Sequence, residues 1–351
     1  MNQLSSNPSA VEFPPSPNWR GLGRGRTATF RQRGRLLALL LVPLLCLSAC
    51  TRAAAPAAKA SPASTAEPAG KIKALTSFLP VYCFTANIAG DLAEVENLLP
   101  ANVGPHDYQF APRDLRKLSA AQLFVVNGLG MEDWLGKTLK AAKGSKTATV
   151  VEAFAGVPKD RLITELPHIH LPGEHGHHHH DGPNPHLWLD PTLAAHAVTN
   201  ILTALQKADP KNAAGYAANA TRYVERLQKL DADLAAALAP AKGHRIVTYH
   251  HAFPYFTRRY GLDLVGVIEE VPDVEPSPKY LAALLKVMRE KEVKVIFTEP
   301  QFSPKLAERI SRDAKIPVAE LDTLETGPLK PTAYEEGLRR NLNTLLKHLV
   351  K

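Results

Sequence analysis

The chain has 351 residues, of which 45% are hydrophobic, so it is long enough to bury the cores of two ordinary domains. Its formal net charge is +8, but residues 1–49 hold six arginines and a single acid, which leaves only +3 for residues 50–351. Because the basic charge is concentrated in one segment, the composition argues against nucleic-acid binding. Three cysteines also exclude a framework of several disulfides.

The basic segment ends in a pattern that is typical of an export signal. Arginines precede an apolar run over 36–47, which is too short to span a bilayer comfortably. The sequence Leu-Ser-Ala-Cys at 47–50 resembles the lipobox of bacterial lipoproteins, in which the signal is removed before a cysteine that carries lipid. This resemblance implies that residues 1–49 are a signal peptide with an N-terminal extension and that Cys50 is lipidated. A plain signal peptide with an incidental Cys50 and an uncleaved anchor are the alternatives.

The segment after the signal has the composition of a linker. Residues 50–70 are rich in Ala, Pro and Ser and contain no large apolar side chain, so they cannot bury a core and are expected to form a flexible tether. Folding is therefore expected to begin near Lys71. Cys83 has no partner once the signal is removed and Cys50 carries lipid, which favours a small buried apolar side chain.

Two parts of the chain repeat one order of elements: strand, helix, strand, loop, helix, strand. In the first part these elements are predicted at 72–77, 81–92, 95–99, 113–120 and 123–127, with the loop before the second helix. In the second part they are predicted at 245–249, 253–260, 263–267, 278–291 and 294–298. Short β-rich runs that alternate with helices predict parallel α/β sheets.

Helices at 194–208 and 212–238 separate the two parts, and a last amphipathic helix covers 332–351. The second separating helix would be roughly 40 Å long, which is enough to run along both parts. We therefore predict an α/β protein with two lobes, each a parallel sheet flanked by helices, joined by a long rigid helix, with a cleft between them. The predicted division is an N-terminal lobe over 71–193, a helical connection over 194–242 and a C-terminal lobe over 243–351.

Seven of the 14 histidines lie in a single loop that spans 168–181. Glycine, proline and the polar run exclude regular structure there, and neutral imidazole is a common ligand of zinc and copper. The loop is therefore predicted to be an accessory metal-binding segment of modest affinity, although an engineered tag or a solvated spacer would have a similar composition. Its histidines are His168, His170, His175, His177, His178, His179 and His180.

Three other histidines lie at predicted element boundaries in separate segments. His106 follows Gly-Pro, His186 follows Asn-Pro, and His250 follows the strand at 245–249. Side chains at such boundaries converge on clefts in α/β folds. Any one of these histidines alone is more often structural than a ligand, but three of them beside a polyhistidine loop in an exported chain favour a metal site.

At these histidines the chain resembles the metal-specific solute-binding proteins of ABC importers (the metal-binding cluster A-I family). The resemblance covers about 71–351 and is closest to the zinc-uptake members, which carry a His-rich loop ahead of their NPHxWLDP motif. It implies two α/β lobes joined by a long helix, with the metal site in the cleft between the lobes. The motifs that carry it, in chain order, are GPHDYQFAPRDL, NPHLWLDP, HHAFPYF, FTEPQFSP and ELDTL.

The resemblance assigns the family's metal ligands to His106, His186 and His250 and places the fourth on Asp322. In some zinc-specific members water takes that fourth position, and an aspartate in such a loop can also be a helix cap. His251 and Glu299 are expected to orient ligand histidines rather than to bind the metal. Three imidazoles and one carboxylate suit four-coordinate Zn²⁺, while Mn²⁺ prefers more oxygen ligands and stays possible.

The resemblance implies high-affinity capture of Zn²⁺ outside the cytoplasm by a membrane-tethered monomer that delivers the ion to an ABC transporter permease. A manganese-binding protein or a metal-dependent adhesin of the same fold are the alternatives. A zinc hydrolase is less favoured, because neither HExxH nor GxSxG occurs in the sequence. Because histidine ligands must be neutral, affinity is expected to fall as the pH drops through roughly 6 to 7.

Overall fold

The structure is a computed structural model that describes residues 70–106, 108–136, 148–165, 169, 182–270 and 274–350. Two four-stranded sheets, both entirely parallel, form its framework. The strand order is β2-β1-β3-β4 in the first sheet and β6-β5-β7-β8 in the second. The first sheet contains β1 (Lys73–Thr76), β2 (Glu94–Asn97), β3 (Leu123–Val126) and β4 (Thr149–Glu152), and the second contains β5 (Arg245–Thr248), β6 (Asp263–Val267), β7 (Val295–Thr298) and β8 (Val318–Glu320).

Helices connect and cover these strands, as parallel pairing requires. The first helices are α1 (Leu79–Ala89), α2 (Pro112–Ala120), α3 (Pro191–Ala208) and α4 (Ala213–Leu238). They are followed by α5 (Pro254–Tyr260), α6 (Pro278–Glu290), α7 (Lys305–Ala314) and α8 (Ala333–Leu349). The prediction of two parallel sheets flanked by helices is confirmed, and no end of a predicted element is shifted by more than three residues.

The long helix α4 has 26 residues, or about 39 Å at the usual rise. It packs against α1, which follows the first strand of the first sheet, and against α5 and α8, which belong to the second part of the chain. Its buried positions recur at helical spacing, with Tyr216, Tyr223 and Leu230 among them. One helix therefore supports both sheets, as the sequence predicted.

In both sheets the chain reverses its direction of progress between two central strands. The reversal lies between β1 and β3 in the first sheet and between β5 and β7 in the second. Residues that follow the carboxyl ends of such strands line a crevice, because the connections on either side leave in opposite directions. In the second sheet His250 follows β5 and Glu299 follows β7.

Two strands, β4 and β8, and one helix, α7, were missing from the sequence prediction. The edge strand β4 is largely exposed, so it lacks the apolar pattern of a buried strand. The edge strand β8 has only three residues, and α7, which precedes it, has only two buried residues, Ala307 and Ile310. None of the helices in the described part of the chain combines the length and apolar character of a membrane span.

Candidate metal centre

Four side chains from four separate loops converge on one point. They are His106, His186, His250 and Glu325, and one ligand atom from each lies within 4.8 Å of the other three. His106 lies between β2 and α2, His186 directly precedes a short 3₁₀ turn before α3, and His250 lies two residues beyond β5. Glu325 lies five residues beyond β8. The group therefore draws on the loops of both sheets.

The atoms face one another at metal-ligand spacing. Oε1 of Glu325 lies 3.4 Å from Nε2 of His106, 3.3 Å from Nε2 of His186 and 3.7 Å from Nε2 of His250. The Nε2 atoms of His186 and His250 are 3.2 Å apart. Tetrahedral zinc with bonds of about 2.0–2.1 Å holds its ligand atoms roughly 3.3–3.4 Å apart. The four donors thus fit a four-coordinate ion.

Glu299 fixes the ring of His250. Its Oε2 lies 2.6 Å from Nδ1 of His250, and its Oε1 accepts the backbone N–H of the same residue at 3.0 Å. With the proton on Nδ1, the lone pair of Nε2 points toward the cluster. Carboxylates in such contacts orient metal-binding histidines in other proteins, and Glu299 lies directly after β7.

Asn184 performs the corresponding task for His186. Its Oδ1 lies 3.1 Å from Nδ1 of His186 and accepts the backbone N–H of that residue at 3.0 Å. Its Nδ2 donates to the carbonyl oxygen of His251 at 2.7 Å, which fixes Oδ1 as the acceptor end of the amide. His251 therefore contributes its backbone to the support of the site, and its imidazole is not among the four clustered groups.

His106 forms the more accessible side of the centre. Its side chain is 24% exposed, whereas those of His186, His250 and Glu325 are 4%, 1% and 1% exposed. The carbonyl oxygen of the preceding Pro105 accepts a hydrogen bond from Nε1 of Trp134 at 3.0 Å, which anchors the loop. An ion from solvent would therefore meet His106 first.

The structure does not bring Asp322 to the cluster. Its Oδ1 accepts the backbone N–H of Leu324 at 2.8 Å, and its Oδ2 lies 3.2 Å from a guanidinium nitrogen of Arg340. Leu324 has a φ of +63°, which is uncommon for a residue with a side chain. The loop turns at this residue, and Glu325 instead of Asp322 presents its carboxylate to the histidines.

The fourth clustered group was therefore missing from the sequence prediction. Asp322 and Glu325 are two acids in one short loop after β8, LDTLETGP, and the spacing alone does not select between them. The second acid in that loop was the available signal. The accessory histidines at 168, 170, 175 and 177–180 and the lipidation candidate Cys50 lie outside the described residues.

Burial and neighbouring charges shift the pKa values of the clustered side chains. Burial lowers the pKa of His186 to about 3, with the neighbouring His250 and His106 acting in the same direction and Glu325 opposing them. Burial alone would raise the pKa of Glu325, but the three imidazoles hold it well below its usual value. Glu325 is therefore an anion next to a neutral His186 over the physiological range.

Two kinds of buried atom at the centre favour a cation. Oε1 of Glu325 is buried without a hydrogen-bond partner among the described residues, and such an atom normally has one. The Nε2 atoms of His186 and His250 point lone pairs at each other, because their Nδ1 atoms face the acceptors Asn184 and Glu299. A divalent ion at the common point satisfies all of these atoms at once, so the residues fit a bound metal.

The chain is similar to known metal-binding proteins. A family model described as "Zinc-uptake complex component A periplasmic" matches residues 75–348. The zinc-binding protein AdcA of Streptococcus pyogenes serotype M3 is 36% identical over 290 residues, which cover 79% of this chain and 56% of that protein. The high-affinity zinc uptake system protein ZnuA of Bacillus subtilis is 33% identical over 312 residues, which cover 88% of this chain and 97% of that protein.

The chain is also similar to a metal-binding protein of known structure. The structure of the solute-binding protein FpvC of Pseudomonas aeruginosa with Ni²⁺ matches with a TM-score of 0.69 and 32% identity, and the match covers 80% of this chain and 97% of that one.

Proposed function

The chain belongs to the family of periplasmic zinc-uptake component A proteins, and from this premise we propose that it captures Zn²⁺ with high affinity outside the cytoplasm for delivery to an ABC-type permease. The single observation that carries the proposal is the convergence of three imidazoles and one carboxylate at ligand spacing. Zn²⁺ is the cargo of this site, and its ligands are His106, His186, His250 and Glu325.

The donor set favours zinc among divalent ions. Three nitrogen donors and one oxygen donor match the borderline character of Zn²⁺, whereas Mn²⁺ prefers more carboxylate, carbonyl or water ligands. The names of the relatives AdcA and ZnuA point to zinc as well. Neither the manganese alternative nor the adhesin alternative has a specific observation of this chain in its favour.

A binding role fits the site better than catalysis. A catalytic zinc keeps one coordination position open for water and needs a base beside it. Here four protein donors surround the common point, and the nearby carboxylate of Glu299 already accepts two hydrogen bonds from His250. We therefore infer that the protein is not an enzyme.

The proposed export, lipid attachment and accessory loop rest on sequence patterns. The signal pattern at 1–49 and the lipobox resemblance support export, lipid attachment at Cys50 and a tether over 50–70, and a relative from Streptococcus pneumoniae is itself called a zinc-binding lipoprotein. The protein acts as a monomer that presents its metal to the permease. The His-rich loop at 168–181 collects ions as an accessory to the four-ligand centre.

Metal content tests the function. Protein purified without added zinc is analysed by elemental mass spectrometry and then titrated with Zn²⁺ in competition with Mn²⁺. We expect one tightly bound Zn²⁺ per chain that Mn²⁺ does not displace. We also expect a variant that lacks 168–181 to keep this single tight site. Loss of the site in that variant would show that the loop, and not the four-residue cluster, binds the ion tightly.

The ligand assignment is tested by a matched pair of substitutions in one loop. Glu325→Gln removes the clustered carboxylate, and Asp322→Asn makes the same change three residues away, where the amide oxygen still accepts the N–H of Leu324. We expect His186→Ala and Glu325→Gln to weaken zinc binding by orders of magnitude, whereas Asp322→Asn changes it by less than about tenfold. The reverse order of the two acid variants would restore Asp322 as the fourth ligand.

A further inference from the structure

Gln301 connects the two buried carboxylates of the centre. It lies in the loop after β7, two residues beyond Glu299. Its Nε2 donates to Oε2 of Glu299 at 3.1 Å, to Oγ1 of Thr323 at 3.0 Å and to Oε2 of Glu325 at 3.2 Å. An amide NH₂ has two hydrogens, so three acceptors compete for them. The NH₂ group is therefore held among three oxygen acceptors.

The direction of the amide follows from these partners. Two of the three acceptors belong to the carboxylates of Glu299 and Glu325, and the carbonyl end of Gln301 would meet both with repulsion. The NH₂ end consequently faces the centre. Gln301 places two donors between the two carboxyl groups and brings no charge of its own.

The two oxygens of Glu325 have different surroundings. Oε1 faces the Nε2 atoms of His106, His186 and His250 at 3.3–3.7 Å and has no hydrogen-bond partner in the described part of the chain. Oε2 accepts a hydrogen bond from Nε2 of Gln301 at 3.2 Å. The carboxylate is thus divided into one oxygen directed at the metal position and one oxygen held by the amide.

We propose that Gln301 is a positioning residue that keeps Glu325 a one-oxygen ligand and so holds the site at four coordination. The inference rests on the proposed function. A carboxylate with both oxygens free can bind an ion through two atoms, which raises the coordination number. Zn²⁺ is stable with four ligands, whereas Mn²⁺ gains from additional oxygen donors. Gln301 therefore sets the preference for zinc over manganese without touching the metal.

The test uses the absorption spectrum of bound Co²⁺, which is intense for four-coordinate ions and weak for five- or six-coordinate ions. Gln301→Met keeps the length of the side chain and removes the donor. We expect the wild-type Co²⁺ spectrum to be intense and that of Gln301→Met to be several-fold weaker. We also expect the ratio of zinc to manganese affinity to fall about tenfold or more, the range in which outer partners of metal ligands act.

A second variant separates the donor from the space that it fills. Gln301→Lys restores hydrogens for the carboxylates, so we expect it to recover the intense Co²⁺ spectrum while its charge weakens the binding of every divalent ion. Gln206→Met, the same change on α3, where the amide donates to the carbonyl oxygen of Ala213, serves as the control. Circular dichroism and a zinc stoichiometry of one per chain establish that each variant is folded.

The outcomes separate the inference from the function on which it rests. An unchanged Co²⁺ spectrum and an unchanged zinc-to-manganese ratio in folded Gln301→Met would overturn the role of Gln301 while wild-type zinc binding stands. A weak wild-type Co²⁺ spectrum would also overturn it. A weak spectrum in Gln301→Lys would refute the donor mechanism. Failure of the wild-type protein to bind zinc would instead remove the proposed function itself.

Discussion

The carboxylate of Glu299 and the imidazole of His250 form the shortest contact of the centre, 2.6 Å between Oε2 and Nδ1, and both side chains are almost completely buried. The same carboxylate also accepts the backbone N–H of His250. Two bonds from one acid to one residue fix both the ring and the main chain. Glu299 thereby orients His250 so that its Nε2 is directed at the other clustered groups.

We predict that Glu299→Gln weakens zinc binding by about 10- to 100-fold, since an amide keeps one acceptor for His250 but loses the second. Zinc affinity measured by competition with a fluorescent chelator checks this result. Glu320→Gln, at the exposed end of β8, is the matched control and is expected to bind zinc as the wild type does. An affinity for Glu299→Gln within about threefold of the wild type would contradict an orienting role.

Asn184 links the segment before α3 to the segment after β5. It accepts from His186 and donates to the carbonyl oxygen of His251, while its own carbonyl oxygen accepts from the hydroxyl of Tyr255. We predict that Asn184→Ala lowers zinc affinity about tenfold or more and lowers the free energy of unfolding by about 1–3 kcal/mol, because a buried carbonyl loses its donor. Urea unfolding of metal-free protein and zinc titration measure the two effects separately.

Tyr255→Phe is the companion variant for this prediction. It removes the hydroxyl contact to Asn184 but leaves the amide of that residue in place. We expect a loss of stability with little change in zinc affinity. Equal losses of zinc affinity in the two variants would show that general loosening of the loop, and not the position of His186, is responsible.

The sequence was informative where local pattern determines structure. The apolar run of β3 is buried at all four positions, and α3 ends at Ala208 as predicted, although it begins three residues before the predicted start, at Pro191 after the capping residue Asp190. The last helix buries Leu338, Leu345 and Leu349 at the expected spacing. Each of these features depends on neighbouring residues, so one sequence suffices to predict it.

The identity of the fourth clustered group, Glu325, depends instead on tertiary contacts. Whether Asp322 or Glu325 reaches the histidines is decided by the turn at Leu324, whose positive φ has no signature in the sequence. That turn is held from a distance: Asn341 on α8 bonds both the backbone N–H and the carbonyl oxygen of Asp322, and Trp188 donates to the carbonyl oxygen of Thr323 at 2.8 Å. Contacts of such long sequence separation are invisible to pattern analysis.

The metal-free protein is predicted to lose stability in acid through His186. Burial lowers the pKa of this histidine to about 3 in the folded state, whereas the unfolded chain binds the proton near 6.5. Between these values the unfolded state holds more protons, so stability falls as the pH falls. From pH 7 to pH 5 the contribution is about 2 kcal/mol.

Urea unfolding of metal-free protein at pH 7 and pH 5 tests this, with His186→Gln as the comparison. We expect the wild type to lose about 2 kcal/mol more than the variant over this interval. Equal losses would show that His186 takes up its proton in the folded state. The low pKa also means that any fall in zinc affinity between pH 7 and pH 6 arises at groups other than His186.

The pH dependence of stability that arises from Glu132 has the opposite sign to the one that arises from His186. It lies beneath the carboxyl ends of β1 and β3, where it accepts hydrogen bonds from the hydroxyl of Ser77 and from the backbone N–H groups of Asn127 and Gly128. Burial raises its pKa to about 7, although these three donors oppose the rise. Asn127 in turn donates to the carbonyl oxygen of Pro185, next to the cluster.

Because the folded state holds this proton up to about pH 7 and the unfolded state releases it near 4.5, the folded state has more protons between the two values. Stability from this group therefore falls as the pH rises, by about 2 kcal/mol from pH 5 to pH 7.5. Glu132→Gln should remove that part of the slope, and the change in slope is the readout because the amide also meets the N–H of Gly128 unfavourably. Glu165→Gln, at an exposed position, is the control. A wild-type slope retained in Glu132→Gln would mean that the acid is ionised in the folded protein across this range, held so by its three donors.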